Sequence, residues 1–451
     1  MRKIIQYMMM ALIAVVLASC ANDISEESTP TVKSNIRFVV DDFPMFEKPS
    51  TRTIGEEDKG KTAWAVGDEI CVKLESKELG IQTATLKYNG VKFEIQDGNS
   101  LCYLDGEPVT AYAYYAPGRK WLNDGNLGYK DGERDGTAEF LEATCTVHYG
   151  DDNYIDISFA NVTRNYSRLR IATLPNEQIT VDTEYFTPAG SSDMKWDQNY
   201  ALTSDENGNA YLYGTFENNS EVTVKYREAA LATYTFSQAT ESAKSYALDA
   251  TVISANSAEE IKSAIEQKVA DGKTTIRLNL APNAGTDEFM AIREAIKGAA
   301  PNDEGTIELT IIGVETIPEK AFGRMSQLKS VKMPNVKEIK KYAFSECRYL
   351  TVVEAPSLNK LNSGAFNECY LLSKLTFGPI NYADARYWPI FEDITPNIDL
   401  ILSDYQKEMI ETDDDLYTAN NDIDYADSNK HWNKNFLGRE FKSITCRFKV
   451  E

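Results

Sequence analysis

Histidine, cysteine and carboxylate side chains are where chemistry would sit, and their spacing in this chain offers little of it. Only His148 and His431 occur among 451 residues. Two imidazoles this far apart in sequence do not suggest a histidine-based hydrolase or a multi-histidine metal site. The sequence has no phosphate loop, no GxSxG elbow and no HExxH helix. With 69 acidic residues, carboxylate pairs abound and none stands out as an acid–base couple. Asp413-Asp414-Asp415 and Asp422-x-Asp424-x-x-Asp427 are acidic enough to hold calcium, but they miss the EF-hand spacing and its central glycine. A solvated acidic loop is the plainer reading there. No CxxC zinc pattern occurs. The residues therefore predict no catalytic group, no cofactor and no metal ligand.

Composition narrows the partners. The formal net charge is −22 and the pI is about 4.7, which argues against nucleic acid, since that needs a basic footprint. Aromatic residues make up 11%, with 25 tyrosines, and suit β-rich domains. The length leaves room for two or three domains.

The most organised stretch is Ile307–Ile380. Ala321-Phe322, Ala343-Phe344 and Ala365-Phe366 recur at a step of 22 residues. The same step links Ile317, Ile339 and Leu361, and Leu328, Leu350 and Leu372. It also links Leu309, Val331, Val353 and Leu375, and Ile311, Met333, Ala355 and Phe377. Columns held in one register predict a solenoid with one short strand per coil. A single coil cannot bury enough apolar surface to offset its own ordering, so neighbouring coils and end caps must share the burial.

These residues carry a resemblance. Ile317-x-x-x-Ala321-Phe322-x-x-Met325-x-x-Leu328-x-x-Val331 and Ile339-x-x-x-Ala343-Phe344-x-x-Cys347-x-x-Leu350-x-x-Val353 resemble BspA-like leucine-rich repeats. Leu361-x-x-x-Ala365-Phe366-x-x-Cys369-x-x-Leu372-x-x-Leu375 keeps the pattern. The resemblance implies a surface protein used in adhesion and recognition, without catalysis.

The N-terminus is read as a targeting segment, with Arg2 and Lys3 before the short apolar core Met8–Leu17. Leu17-Ala18-Ser19-Cys20 resembles a bacterial lipobox, which implies cleavage after Ser19 and acylation of Cys20. The alternatives are an ordinary signal peptide or an uncleaved anchor. Residues 20–32 are polar, acidic and without a period, and are read as a flexible tether. Asp23, Glu26 and Glu27 resemble the surface-export signal of Bacteroides-type lipoproteins, against a plain solvated linker. The implied location is the outer membrane, lipid-anchored and exposed at the cell surface.

Residues 33–160 read as short strands and turns, and so do residues 161–252, which predicts two β-sandwiches. Thr51-Arg52-Thr53, Trp64-Ala65-Val66-Gly67-Asp68-Glu69-Ile70 and Tyr112-Ala113-Tyr114-Tyr115-Ala116-Pro117 resemble the N-terminal domain of fimbrillin-like proteins of Bacteroidetes. Related pilins are activated by cleavage after an arginine. Arg37 and Arg52 are the candidates here, and an edge arginine kept for solubility is the plainer alternative. In polymerising fimbrillins the C-terminal segment donates a strand to the next subunit. Here that end runs into another domain, which speaks against a pilus shaft.

Residues 253–305 predict a helix–strand–helix cap, opened by Ser257-Ala258-Glu259-Glu260, and residues 306–451 the solenoid with its C-terminal cap. Trp432 and Phe441 are expected in that closing cap. Strand alternation assigns two columns to the open sheet face: Glu308, Ser330, Val352 and Lys374, and Thr310, Lys332, Glu354 and Thr376. They are candidate binding residues, against a solvated face with a Lys332–Glu354 ion pair. Tyr382, Tyr387 and Trp388 are candidate aromatic contacts for a sugar, or else a cover for the solenoid end. Cys347 and Cys369 share one column and read as buried thiols. For Cys71, Cys102, Cys145 and Cys446, thiol and disulfide both stay open.

The fold expected is mainly β: two fimbrillin-like sandwiches, then a short BspA-type solenoid with a helical N-terminal cap. The function expected is a non-catalytic surface lipoprotein that recognises host macromolecules, other cells or glycans. A second class is an anchoring or tip component of a fimbria, joined by strand addition. A third is a glycan-processing enzyme.

Overall fold

The computed structural model describes residues 32–33, 36–47, 61–96, 100–104, 106–150, 153–159, 164–227, 229–255, 257–383, 390–391, 394, 397–403, 435–437 and 439–448. The leader and tether, Cys20, Arg52, Tyr387, Trp388, the acidic loop and Trp432 lie outside the described residues. Two compact units emerge. One spans 1–42, 64–128 and 142–162, and the other spans 43–63, 129–141 and 163–451.

In the first unit seven strands form one hydrogen-bonded path. In chain order they are β1 (Arg37–Val40), β2 (Glu69–Ser76), β3 (Gly80–Tyr88), β4 (Phe93–Ile95), β5 (Val109–Tyr115), β6 (Leu141–His148) and β7 (Tyr154–Ser158). Their order in the sheet is β1-β7-β6-β5-β2-β3-β4, and β1 joins β7 in parallel. Trp64 organises the packing. Its ring meets Phe93, Tyr115 and Phe159 edge-on at 5.0, 5.3 and 5.7 Å, and its Nε1 donates to the Asp41 carbonyl at 2.8 Å. Gly67 beside it takes φ +99°, which a Cβ disfavours. The Asp68 carboxylate closes that turn by accepting from the Ala65 N–H at 2.6 Å. The Asn89-Gly90 pair opens a hairpin loop between β3 and β4. Tyr88 pairs Phe93, so four residues form the loop, because Asn89 Oδ1 accepts the N–H groups of Val91 and Lys92.

The second unit begins with another seven strands: β8 (Ser167–Ala172), β9 (Gln178–Pro188), β10 (Lys195–Thr203), β11 (Asn209–Phe216), β12 (Glu221–Tyr226), β13 (Ala229–Thr235) and β14 (Ser245–Asp249). The path runs β13-β12-β9-β11-β8-β14, with β10 also on β9. The hydrogen bonds again run through one connected path, in which β9 pairs β12 through residues 180–183 and β11 through residues 186–188. Its core stacks Phe186, Phe216 and Phe236. Residues 43–47 and 129–141 pack here rather than with the strands nearest them in sequence.

Beyond β14 the same unit carries the repeats. β15 (Ile253–Ser254), α1 (Ala258–Ala270), β16 (Thr275–Asn279) and α2 (Thr286–Ala299) come first. Ser257 caps α1 by accepting from the Glu260 N–H at 3.2 Å, and Glu288 reaches back to the Gly285 N–H at 2.8 Å to open α2. Ile261 and Ile265 of α1, and Phe289, Ile292 and Ile296 of α2, are buried against the repeats. β17 (Ile307–Ile312), β18 (Leu328–Lys332), β19 (Val352–Ala355), β20 (Lys374–Phe377), β21 (Asp399–Ser403) and β22 (Ser443–Phe448) follow. From β15 to β22 the ladder is parallel throughout. A second parallel ladder of two-residue strands joins Thr316–Ile317, Glu338–Ile339, Lys360–Leu361 and Tyr382–Ala383.

Between the ladders lies a continuous core. Phe322, Phe344 and Phe366 stack at 5.2 and 5.4 Å, with Phe289 of α2 below and Phe391 and Phe441 above. Phe441 thus closes the stack as a cap residue. Cys347 and Cys369 are buried thiols in one column, donating to the Phe322 and Phe344 carbonyls at 3.0 and 3.1 Å.

Burial pushes the Cys347 thiol up to about 12 and Cys369 in the same direction. An unfolded thiol ionises near ~8.5, so above that pH the unfolded chain sheds protons that the folded one keeps. Stability is then full below pH ~8.5 and falls as pH rises toward the folded value. Cys347 alone should withdraw about 2 kcal/mol by pH ~10, at ~1.4 kcal/mol per unit. Urea midpoints at neutral pH and at pH ~10 check this. The C347A/C369A pair should flatten the difference, and an unchanged pH slope in that pair would contradict it.

Candidate functional site

Strand alternation places the candidate residues as a lattice on one sheet face. Register pairs Glu308 with Ser330, Ser330 with Val352, and Val352 with Lys374. It pairs Thr310 with Lys332, Lys332 with Glu354, and Glu354 with Thr376. Both columns run further than the repeat period shows. Thr275 and Arg277 of β16 extend them at one end, and Asp399 and Ile401 of β21 at the other. Sequence reasoning missed these because α2 and a longer insertion break the step of the repeat.

Charges on the coils are largely answered by neighbours one coil away. Lys332 Nζ lies 3.1 Å from Glu354, and Lys329 lies 2.8 Å from Glu308. Its hydrogen bond to the Glu308 carboxylate holds the Lys329 ammonium above its ordinary range. Such exposed pairs add little stability. They set the pattern of charge a partner would meet.

The face is not open along its whole length. At β17 the second unit's antiparallel sheet covers it. Ile312, on the same side as Glu308 and Thr310, is 2% exposed and belongs to the core of that sheet. Thr310 is 5% exposed, so as a surface contact it is corrected to a buried wall residue. Arg277, next in its column, is 8% exposed, and its Nε donates to the Leu231 carbonyl of β13 at 2.6 Å. Beyond the covered end, Val352, Glu354 and Thr376 are half-buried and Lys374 is exposed.

Where sheet and ladder meet, a cavity of ≈ 490 Å³ remains. β13 supplies Leu231 and Tyr234 as its apolar wall. The ladder supplies Thr275, Arg277, Glu308, Thr310, Ser330 and Lys332. Four of the eight predicted face residues, Glu308, Thr310, Ser330 and Lys332, are therefore brought together around one space. Burial pulls the Arg277 guanidinium below its ordinary value, against the charges of Asp249 and Glu308. Burial also raises Asp249, but the Thr251 hydrogen bonds and the charges of Lys268 and Arg277 together outweigh it and hold the carboxyl low. Both groups are charged at neutral pH.

The other predicted residues lie elsewhere. Tyr382 is on the two-residue ladder, with Lys360 Nζ 5.1 Å from its ring centre, and does not join the face columns. Arg37 opens the edge strand β1, 5.1 Å from the Tyr154 ring centre. Cys102 and Cys145 are thiols, and burial with the Glu142 charge pushes Cys145 up to about 12. Among the described residues no group of three His, Cys, Asp or Glu side chains is placed to hold a metal.

A comparison with curated proteins finds no match. Residues 306–387 match the family model described as BspA type leucine rich repeat region, in 6 copies. The stretch whose strands carry the face columns is thus a BspA-type leucine-rich repeat region.

Proposed function

We propose that this protein is a non-catalytic, lipid-anchored outer-membrane lipoprotein of Bacteroidetes type, exposed at the cell surface, that recognises host macromolecules, other cells or glycans. The supporting observation is the lattice of side chains on the parallel ladder of a BspA-type repeat region, a module often used for adhesion and protein interaction. Two fimbrillin-like β-sandwiches act as the stalk, Cys20 carries the lipid, and the solenoid presents the face. The Lys374 end of the columns is the accessible part for large partners, since β13 and its neighbours cover the other end.

The chain from residue 21 onward, immobilised and screened against mucins, matrix proteins and glycans, should bind at least one class saturably. Replacing Val352 and Thr376 by arginine should weaken that binding at least tenfold without changing the unfolding midpoint. Binding untouched by those changes would remove the face from the recognition role. A heat-stable, high-mass ladder on mild denaturation of cell extracts would instead favour assembly into a fimbria.

A further inference from the structure

We infer that the cavity between β13 and the first coils binds a carboxylated sugar, with Arg277 holding the acid group. This deepens the recognition reading above and rests on it. Arg277 is fixed from one side by its bond to the Leu231 carbonyl, while its Nη1 is buried and has no hydrogen-bond partner. Asp249 Oδ1 lies 4.0 Å from that nitrogen, close enough to balance charge and too far to accept its proton. A buried donor left without an acceptor is unfavourable, and the planar guanidinium fork is matched best by a carboxylate. Arg277 itself lines a cavity of ≈ 490 Å³, within the range of small-molecule sites.

The surroundings suit a sugar rather than a peptide. Thr275 and Ser330 offer hydroxyls, and the Glu308 carboxylate accepts, which is what ring hydroxyls require. Leu231 and Tyr234 form an apolar wall for a ring face. A peptide acid would enter by pairing with the edge strand β13, but the Leu231 carbonyl on that edge is already taken by Arg277. The charged groups lining the cavity are Lys273, Arg277 and Lys332 with Asp249 and Glu308, and Lys332 and Glu308 are already answered by Glu354 and Lys329.

The test titrates the chain from residue 21 onward with N-acetylneuraminate and with glucuronate. Glucose, the methyl ester of glucuronate and a tri-glutamate peptide serve as controls. Saturable binding of one sugar acid, at least tenfold tighter than its neutral counterpart or the peptide, is the expected result. Arg277→Gln should lose it. Because that change also touches a buried bond, Ser330→Tyr is the companion. It fills the cavity from a half-exposed position, leaves the Leu231 bond in place, and should abolish sugar binding with the unfolding midpoint unchanged. Absence of binding by both acids, equal binding of the neutral sugars, preference for the peptide, or full binding by a folded Ser330→Tyr chain would each overturn the inference. Adhesion to mucin that free sugar acids do not compete would leave the recognition reading standing and remove this one. Sugar-acid binding without any adhesion would do the reverse.

Discussion

Phe344→Ala should remove about 3–5 kcal/mol from the repeat module, the range for deleting a buried aromatic ring. The ring is fully buried and stacks on Phe322 at 5.2 Å and on Phe366 at 5.4 Å. Truncation therefore opens a void at the middle of a column, where neither neighbouring coil can close it without breaking its own register. Because each coil contacts only its neighbours, the loss should spread along the ladder as lowered amide protection of Val331, Val353 and Leu375. Hydrogen exchange and the urea midpoint both report it. A change below about 1 kcal/mol would mean that the stack does not hold the coils together.

Glu139→Ala should be as damaging for a different reason. Arg164 Nη2 donates to Glu139 Oε2 at 2.6 Å, and the two side chains are 2% and 7% exposed. The same guanidinium lies 3.8 Å from the Phe46 ring centre and donates to the Pro44 carbonyl. Three distant segments thus meet on one buried cation. Removing the carboxylate leaves that cation uncompensated and should cost about 3–5 kcal/mol. Replacing both partners, as in the E139L/R164M pair, should recover most of the loss, because two desolvated charges are then removed together. Thermal unfolding of the two variants decides it. A double change as harmful as the single one would show that shape, not charge, governs the site.

These sites differ in how far the residues announce them. The phenylalanine column is visible in the sequence because each coil repeats the same demand at the same step. α1 is equally plain, since Ser257, the Ile261–Ile265 face and Gly272 mark its start, packing and stop. The strand β9, by contrast, is the longest among the described residues and escapes period-two reading. Ile179, Val181 and Thr183 face inward, but Tyr185 adopts φ +48°, and the alternation then slips so that Phe186 and Pro188 are the buried pair. Its partner β10 is largely exposed and alternates only at its end, where Tyr200 and Leu202 are buried. For the candidate site, the face columns follow from strand geometry alone. The wall contributed by Leu231 and Tyr234 does not, because no local pattern tells an edge strand which ladder it will meet. Arg277 carries the same lesson: in sequence it is one basic residue in a short strand, and only the register with Thr310 makes it part of the face.

The parallel stacking also governs how such a chain can change over generations. Loss or duplication of one whole coil leaves every column intact and merely re-seats the capping elements, so it shortens or lengthens the ladder by about one strand spacing, ~4.8 Å. A single-residue insertion inside a strand throws the rest of that strand to the wrong side, whereas a loop absorbs extra residues, as between β20 and β21. Reach therefore evolves in quanta of one coil. The two ends, built from α1, α2 and Phe441, are the parts that recombination must spare.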